Sequence, residues 1–167
     1  AEGFLADRQG EPQAVSIAAR VRRQADVAAR KARINGQQVT FIATEEPVVE
    51  IPPGDLDRVI TNLLSNALDH SPPGGVVEVS VGTSRGEAVL TVRDHGTGIP
   101  AGMGTAIFER GLRATMSRPG HGLGLAIVRR VVEAAGGQVT AGNHPSGGAE
   151  FRVQLPLHRK SGAQAKQ

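Results

Sequence analysis

NLLSNALDH, residues 62–70, decides how this chain is read. Leu63, Leu64, Ala67 and Leu68 recur at helical spacing, which predicts a helix with one apolar side. Asn62, Asn66 and His70 stand four residues apart and share another side of that helix. Two amides and an imidazole in one stripe present neutral hydrogen-bonding groups to a common space. Upstream, Pro52-Pro53-Gly54 breaks the chain, and Asp55 is placed to cap the helix, with Asp57 in its first turn. Downstream, Ser71-Pro72-Pro73-Gly74-Gly75 ends it.

Outward from this helix the pattern alternates between periods of two and of 3.6. Residues 1–14 are polar and read as a flexible lead-in. Residues 15 to about 33 are predicted helical, with Val15, Ala18, Ala19, Val21, Ala25 and Ala28 forming a thin apolar face that Asn35-Gly36 closes. Gln38–Ala43 and Val48–Ile51 read as short strands. Residues 76–82 and 87–94 alternate on either side of Thr83-Ser84-Arg85-Gly86, a hairpin signal. Residues 95–122 form a long loop rich in Gly, Pro and Arg, with one short helical piece around 105–109; a loop of this length is rarely idle. Residues 123–135 are a further helix ending at Gly136-Gly137. Residues 138–141 and 149–155 are the last strands, joined by a turn over 143–148. Residues 158–167 read as a disordered tail, which leaves one domain over 15–157. The order predicts an α+β two-layer sandwich, with about five strands in one mixed sheet and three helices on one face.

The chain has 167 residues, 39% of them hydrophobic and 21% charged, enough to bury a core. It has no cysteine, which excludes disulfides and thiolate metal sites and fits a reducing cytoplasm. No apolar run approaches the roughly 18 residues of a membrane span, and the N-terminus shows no signal-peptide core, so no membrane anchor is expected. The net charge is +3. Much of the basic excess lies in Arg20, Arg22, Arg23, Arg30, Lys31 and Arg33, and in Arg159, Lys160 and Lys166. Aromatic residues make up 2% of the chain, with no Trp or Tyr, so a stacking platform for nucleic acid is lacking and no nucleic-acid partner is expected. A solvated helix face, or one facing an acidic protein, remains.

Three further segments carry chemistry. DHGTGIP, residues 94–100, follows a strand; Gly96 and Gly98 let the backbone approach a ligand, and Asp94 would lie at the floor of a cleft. An ionised carboxylate only accepts hydrogen bonds, which suits the amino group of adenine and repels the O6 of guanine. GHGLGL, residues 120–125, sets Gly120, Gly122 and Gly124 at a helix N-terminus, where free N–H groups favour phosphate. FERGLRATMSRPG, residues 108–120, places an anchoring Phe108 and the guanidiniums of Arg113 and Arg118 on a lid. The opening stripe then has a purpose. Asn62 and Asn66 offer amide oxygens to a hard cation beside a polyphosphate, and His70 lies against a purine. Each segment supplies a different part of one ATP–Mg2+ site.

In order and spacing these segments resemble the catalytic, ATP-binding domain of bacterial sensor histidine kinases, of the group shared with DNA gyrase, Hsp90 and MutL. Residues 62–70 resemble its N box, 94–98 its first glycine box, 108–113 its F box and 120–124 its second. The resemblance covers residues 15–157. It implies a Bergerat-type sandwich with a flexible ATP lid, Mg2+ on Asn66, and adenine read by Asp94 with His70 beside it. It implies that Asn62, Gly96, Gly98 and Ile99 join the cofactor site. Gly120, Gly122, Leu123, Gly124 and Leu125 would wrap the phosphates, and Arg113, Arg118 and Asn62 would assist transfer. Three departures stand out. Asp69 occupies a position where many relatives carry Lys or Arg, Gly111 and Leu112 replace an aromatic pair common after the F box, and Ala149 stands where Thr or Ser often occurs. Where hydrolysing relatives and anti-sigma serine kinases place a general-base Glu, this chain has Asn62. A histidine acceptor needs no such base, because neutral imidazole is already nucleophilic. None of His70, His95, His121, His144 and His158 has the acidic follower and helical context of a phosphoacceptor. The chain is therefore expected to serve a phosphoacceptor histidine on another domain or protein, with a response regulator involved indirectly. An anti-sigma-like, ATP-binding partner-switching protein is the alternative.

Overall fold

The computed structural model describes residues 10–104, 106–109 and 124–158. In chain order it runs β1 (Gln13–Ser16), α1 (Ile17–Ile34), β2 (Gln38–Ala43), β3 (Val48–Ile51), α2 (Pro53–His70), β4 (Val76–Ser84) and β5 (Glu87–Arg93). A 3-10 turn (Ala106–Phe108), α3 (Gly124–Ala134), β6 (Gln138–Asn143) and β7 (Ala149–Pro156) follow. Five strands form one sheet in the order β2-β4-β5-β7-β6. The β2–β4 pair is parallel and the others are antiparallel, so the sheet is mixed.

Alternation makes this sheet one-sided. Val79, Val92 and Phe151 stand in one cross-strand row, and Val81, Leu90 and Val153 in the next. All six are buried, while the intervening row of Ser80, Thr91 and Arg152 lies on the opposite, polar face. A sheet with one apolar face needs one layer of helices, and α1, α2 and α3 supply it. α2 contributes Leu56, Val59, Ile60, Leu63 and Ala67, buried at 3.6-residue spacing. α1 has a narrow face of Ile17, Ala18, Val21, Ala25 and Ala32. Arg20 Nη1 fixes it to α2 by donating to both Asp57 oxygens at 2.9 and 2.8 Å.

Some boundaries differ from the sequence expectation. Gln13 and Ala14, expected in the lead-in, and Val15, expected in the helix, belong to β1, which pairs antiparallel with β3. Ser16 caps α1 by accepting from Ala19 N at 3.2 Å. Asp55 does not cap α2: the helix begins at Pro53 with Pro52 as its N-cap, and Asp55 lies in the first turn. Proline at the first helical position lacks only an N–H that would have no partner there, so the prolines start the helix rather than delay it. The β4–β5 connection tightens to Arg85 and Gly86, since Ser84 already pairs with Glu87. The short helical piece is a single 3-10 turn.

Candidate functional site

The surface of α2 is divided three ways. Leu56, Ile60, Leu63 and Ala67 go to the core. Asp57, Thr61, Leu64, Ser65, Leu68 and Asp69 line an open groove of about 1190 Å3 against α1. Asn62, Asn66 and His70 belong to neither set. Asp69, the departure from the basic residue of relatives, thus lies on the groove side.

Two glycines bracket the stripe. A Cβ on Gly96 would overlap the carbonyl oxygen of His70, so the loop after β5 runs directly against the end of α2. At the other end, a Cβ on Gly124 would come within 3.0 Å of Asn62 Oδ1, so the start of α3 abuts the first amide. Between the glycines the stripe spans two turns, about 12 Å. His70 Nδ1 lies 2.8 Å from the carbonyl oxygen of Asn66. A carbonyl only accepts, so the bond places the ring proton on Nδ1 and makes Nε2 the acceptor of the neutral ring. Asn66 is 9% exposed, and its side-chain amide has no hydrogen-bond partner among the described residues. A largely buried amide in that position is suited to a group outside the protein.

Asp94 follows β5 and is 1% exposed. Its Oδ1 accepts from Gly96 N at 2.9 Å and Ala149 N at 3.1 Å. Its own N–H donates to Ala149 O at 2.9 Å. Oδ2 has no protein partner among the described residues. One oxygen is thus fixed by backbone, and the other is uncommitted among the described residues. Ala149 meets Asp94 through its main chain alone. Gly98 turns the loop at φ +88°, a conformation that disfavours a side chain. Ile99 N–H donates to Asn143 Oδ1 at 2.7 Å, and Asn143 Nδ2 donates to Ile99 O at 3.0 Å. Phe108 anchors the far side of this loop, edge-on to Phe151 with ring centroids 6.0 Å apart.

The structure brings together Asn62, Asn66, His70, Asp94, Gly96, Gly98 and Gly124 around one end of the α2–α3 pair. Leu125 is 1% exposed and its side chain packs in the core, while its backbone N–H lies in the first turn of α3, where helix N–H groups have no intrahelical partner. Ile99 is likewise buried, and its main chain is bound to Asn143. Arg113, Arg118, Gly120, Gly122, Leu123 and the expected lid and tail lie outside the described residues. Asn143 and the main chain of Ala149 were not expected. Asn143 stood in sequence at the start of a polar turn, and Ala149 was marked only as a departure in its side chain.

A one-sided mixed sheet whose helices leave amides, glycine turns and a half-committed carboxylate around one space defines a nucleotide-binding sandwich. The chain belongs to the histidine kinase-, DNA gyrase B-, and HSP90-like ATPase family, whose model matches residues 52–159. It is 39% identical over 126 residues to the sensor histidine kinase component HK1 of Mycobacterium tuberculosis (strain ATCC 25618 / H37Rv), a match covering 74% of each chain. It is 46% identical over 119 residues to the probable sensor histidine kinase TcrY of the same strain, covering 67% of this chain and 24% of that protein. The solved structure of the mycobacterial sensor histidine kinase MprB superimposes with a TM-score of 0.77 at 30% identity, covering 89% of this chain and 99% of that one. The chain is a catalytic ATP-binding domain of the sensor-histidine-kinase type.

Proposed function

We propose that this chain binds ATP with Mg2+ and presents the γ-phosphate to a histidine on a separate dimerisation domain or protein. One observation carries the reading: the Asn62–Asn66–His70 stripe lies between Gly96 and Gly124, which places it between the Asp94 loop and the N-terminus of α3. Asp94 Oδ2 accepts from the amino group of adenine. His70 lies beside the base. The first-turn N–H groups of α3, with Gly120, Gly122 and Leu123 before them, meet the phosphates. Arg113 and Arg118 hold the terminal phosphate oxygens during transfer.

Asn66 fits a magnesium site by its chemistry, since a largely buried amide oxygen with no partner among the described residues is a hard, uncharged donor. Among the described residues no three His, Cys, Asp or Glu side chains are grouped to hold a metal, which leaves the amide and the triphosphate to share it. Magnesium, when bound, neutralises phosphate charge. Asn62 stands where a general base would be needed to activate water. It cannot take a proton, which favours transfer to an imidazole over hydrolysis.

The supply of the acceptor from elsewhere is supported by the size of HK1, a component matched over 74% of its length and of this chain. The response regulator enters only after the acceptor. Among the described residues no helix is long and apolar enough to cross a membrane. A cytoplasmic site follows from the need for ATP and belongs to the same proposal.

The test is thermal unfolding with ATP, with and without Mg2+. At a ligand concentration 100 times Kd the folded state gains about 2.7 kcal/mol. Asn66→Ala is expected to abolish the Mg2+-dependent part of that gain. A wild-type chain whose Tm does not respond to ATP–Mg2+ would overturn the proposal.

A further inference from the structure

We infer that Asn143 is a positioning residue for the nucleobase end of the cleft, gripping the Gly98–Ile99 turn so that Asp94 faces the base in one fixed geometry. This rests on the ATP reading above. Asn143 is the last residue of β6. Its Oδ1 accepts from Ile99 N at 2.7 Å and its Nδ2 donates to Ile99 O at 3.0 Å. Only a primary amide carries an acceptor and a donor in one plane at that reach; a carboxylate lacks the donor and a hydroxyl the second arm. The same Oδ1 fills the space beside Gly98, where a Cβ would come within 2.5 Å of it.

The other end of the loop is held by the same hairpin. Ala149, the first residue of β7, bonds Asp94 through both its N–H and its C=O. A Cβ on neighbouring Gly148 would overlap the carbonyl oxygen of Asp94. His144 N–H donates to Gly148 O at 2.9 Å and closes the hairpin between the two grips. The loop over 94–99 is thus clamped at Asp94 by β7 and at Ile99 by β6. Asn143 acts through that loop. Without it the turn must be ordered at the moment of binding, and affinity falls by that ordering cost.

Asn143→Ala and Asn143→Asp separate this role from simple stabilisation. The Asp variant keeps the size and the acceptor for Ile99 N–H, but turns a second oxygen toward Ile99 O. Both variants are expected to bind ATP about tenfold more weakly. Their GTP affinity should change little, so the ATP-to-GTP preference falls. In nucleotide-free protein, amide exchange at Ile99 should accelerate about tenfold in Asn143→Ala, without a matching rise in the core strands. Equal losses for ATP and GTP, or unchanged ATP affinity in both variants, would overturn the role of Asn143 while leaving the ATP reading intact. A wild-type chain that binds no ATP overturns the ATP reading, and this role with it, even if Ile99 exchange responds.

Discussion

Asp94 shows how one side chain is given two jobs. Backbone N–H groups of Gly96 and Ala149 hold Oδ1, and that fixes the direction of Oδ2. Asp94→Asn puts a donor in place of one oxygen. If Nδ2 replaces Oδ2, it opposes the amino group of adenine; if the amide flips, it opposes two backbone N–H groups. Either way a buried polar contact is lost, at about 1.5–3 kcal/mol. ATP affinity measured by calorimetry is expected to fall roughly 10- to 100-fold. Wild-type affinity in the Asn variant would mean that Asp94 does not read the base. This residue was legible from sequence because its chemistry sits beside its own signal, a strand end followed by two glycines. The Asn62, Asn66 and His70 stripe was legible for the same reason, being written at helical spacing. Asn143 was not. Its partner is Ile99, 44 residues away, and NHPSGG reads like any polar turn until the sheet brings the two together.

The elements that periodicity marks strongly were recoverable: all three helices and six of the seven strands. β1 escaped because four residues become a strand only through β3, more than thirty positions later. The same lack of local information moved the start of α2 from Asp55 to Pro53. Turn chemistry gives a prediction at this scale. Arg85 has φ +53° and Gly86 φ +80°, so the β4–β5 hairpin closes with two left-handed residues. That suits Asn-Gly far better than Arg-Gly. Arg85→Asn relieves part of the cost of the left-handed conformation and is expected to stabilise the chain by about 0.5–1 kcal/mol. Its Tm should rise by roughly 2–4 °C. The turn lies at the end of β5 away from Asp94, about 23 Å along the strand. ATP affinity should therefore stay at the wild-type value. A fall in Tm would show that Arg85 makes a contact worth more than the strain.

At the scale of the whole molecule the question is where the phosphate goes. Three of the four described histidines are hydrogen-bonded through a ring nitrogen, and the fourth, His158, lies at the edge of ion-pair range of Glu50. His70 Nδ1 bonds the Asn66 carbonyl, His95 Nε2 lies 2.8 Å from Glu78 Oε2, and His144 Nδ1 accepts from Ser146 N at 3.1 Å. His158 Nδ1 is 4.0 Å from Glu50 Oε1. Transfer needs an imidazole nitrogen in line with the γ-phosphate, which the proposed binding mode sets at the α3 end of the cleft. His70 sits at the opposite end, beside Gly96. His121 lies outside the described residues, and in the sequence it is followed by Gly122 rather than by the acidic residue of a phosphoacceptor. With γ-labelled ATP and Mg2+ the chain by itself is therefore expected to bind nucleotide and retain no covalent phosphate. Addition of a helical protein bearing an acceptor histidine should move label onto that protein, as an acid-labile, alkali-stable adduct. Arg113→Ala combined with Arg118→Ala should slow this transfer more than it weakens ATP binding, because guanidiniums matter most as charge shifts between oxygens. Label that remains on the isolated chain after nucleotide is removed would place an acceptor within it. His121→Ala would then show whether the one histidine beyond the described residues is the group that takes it.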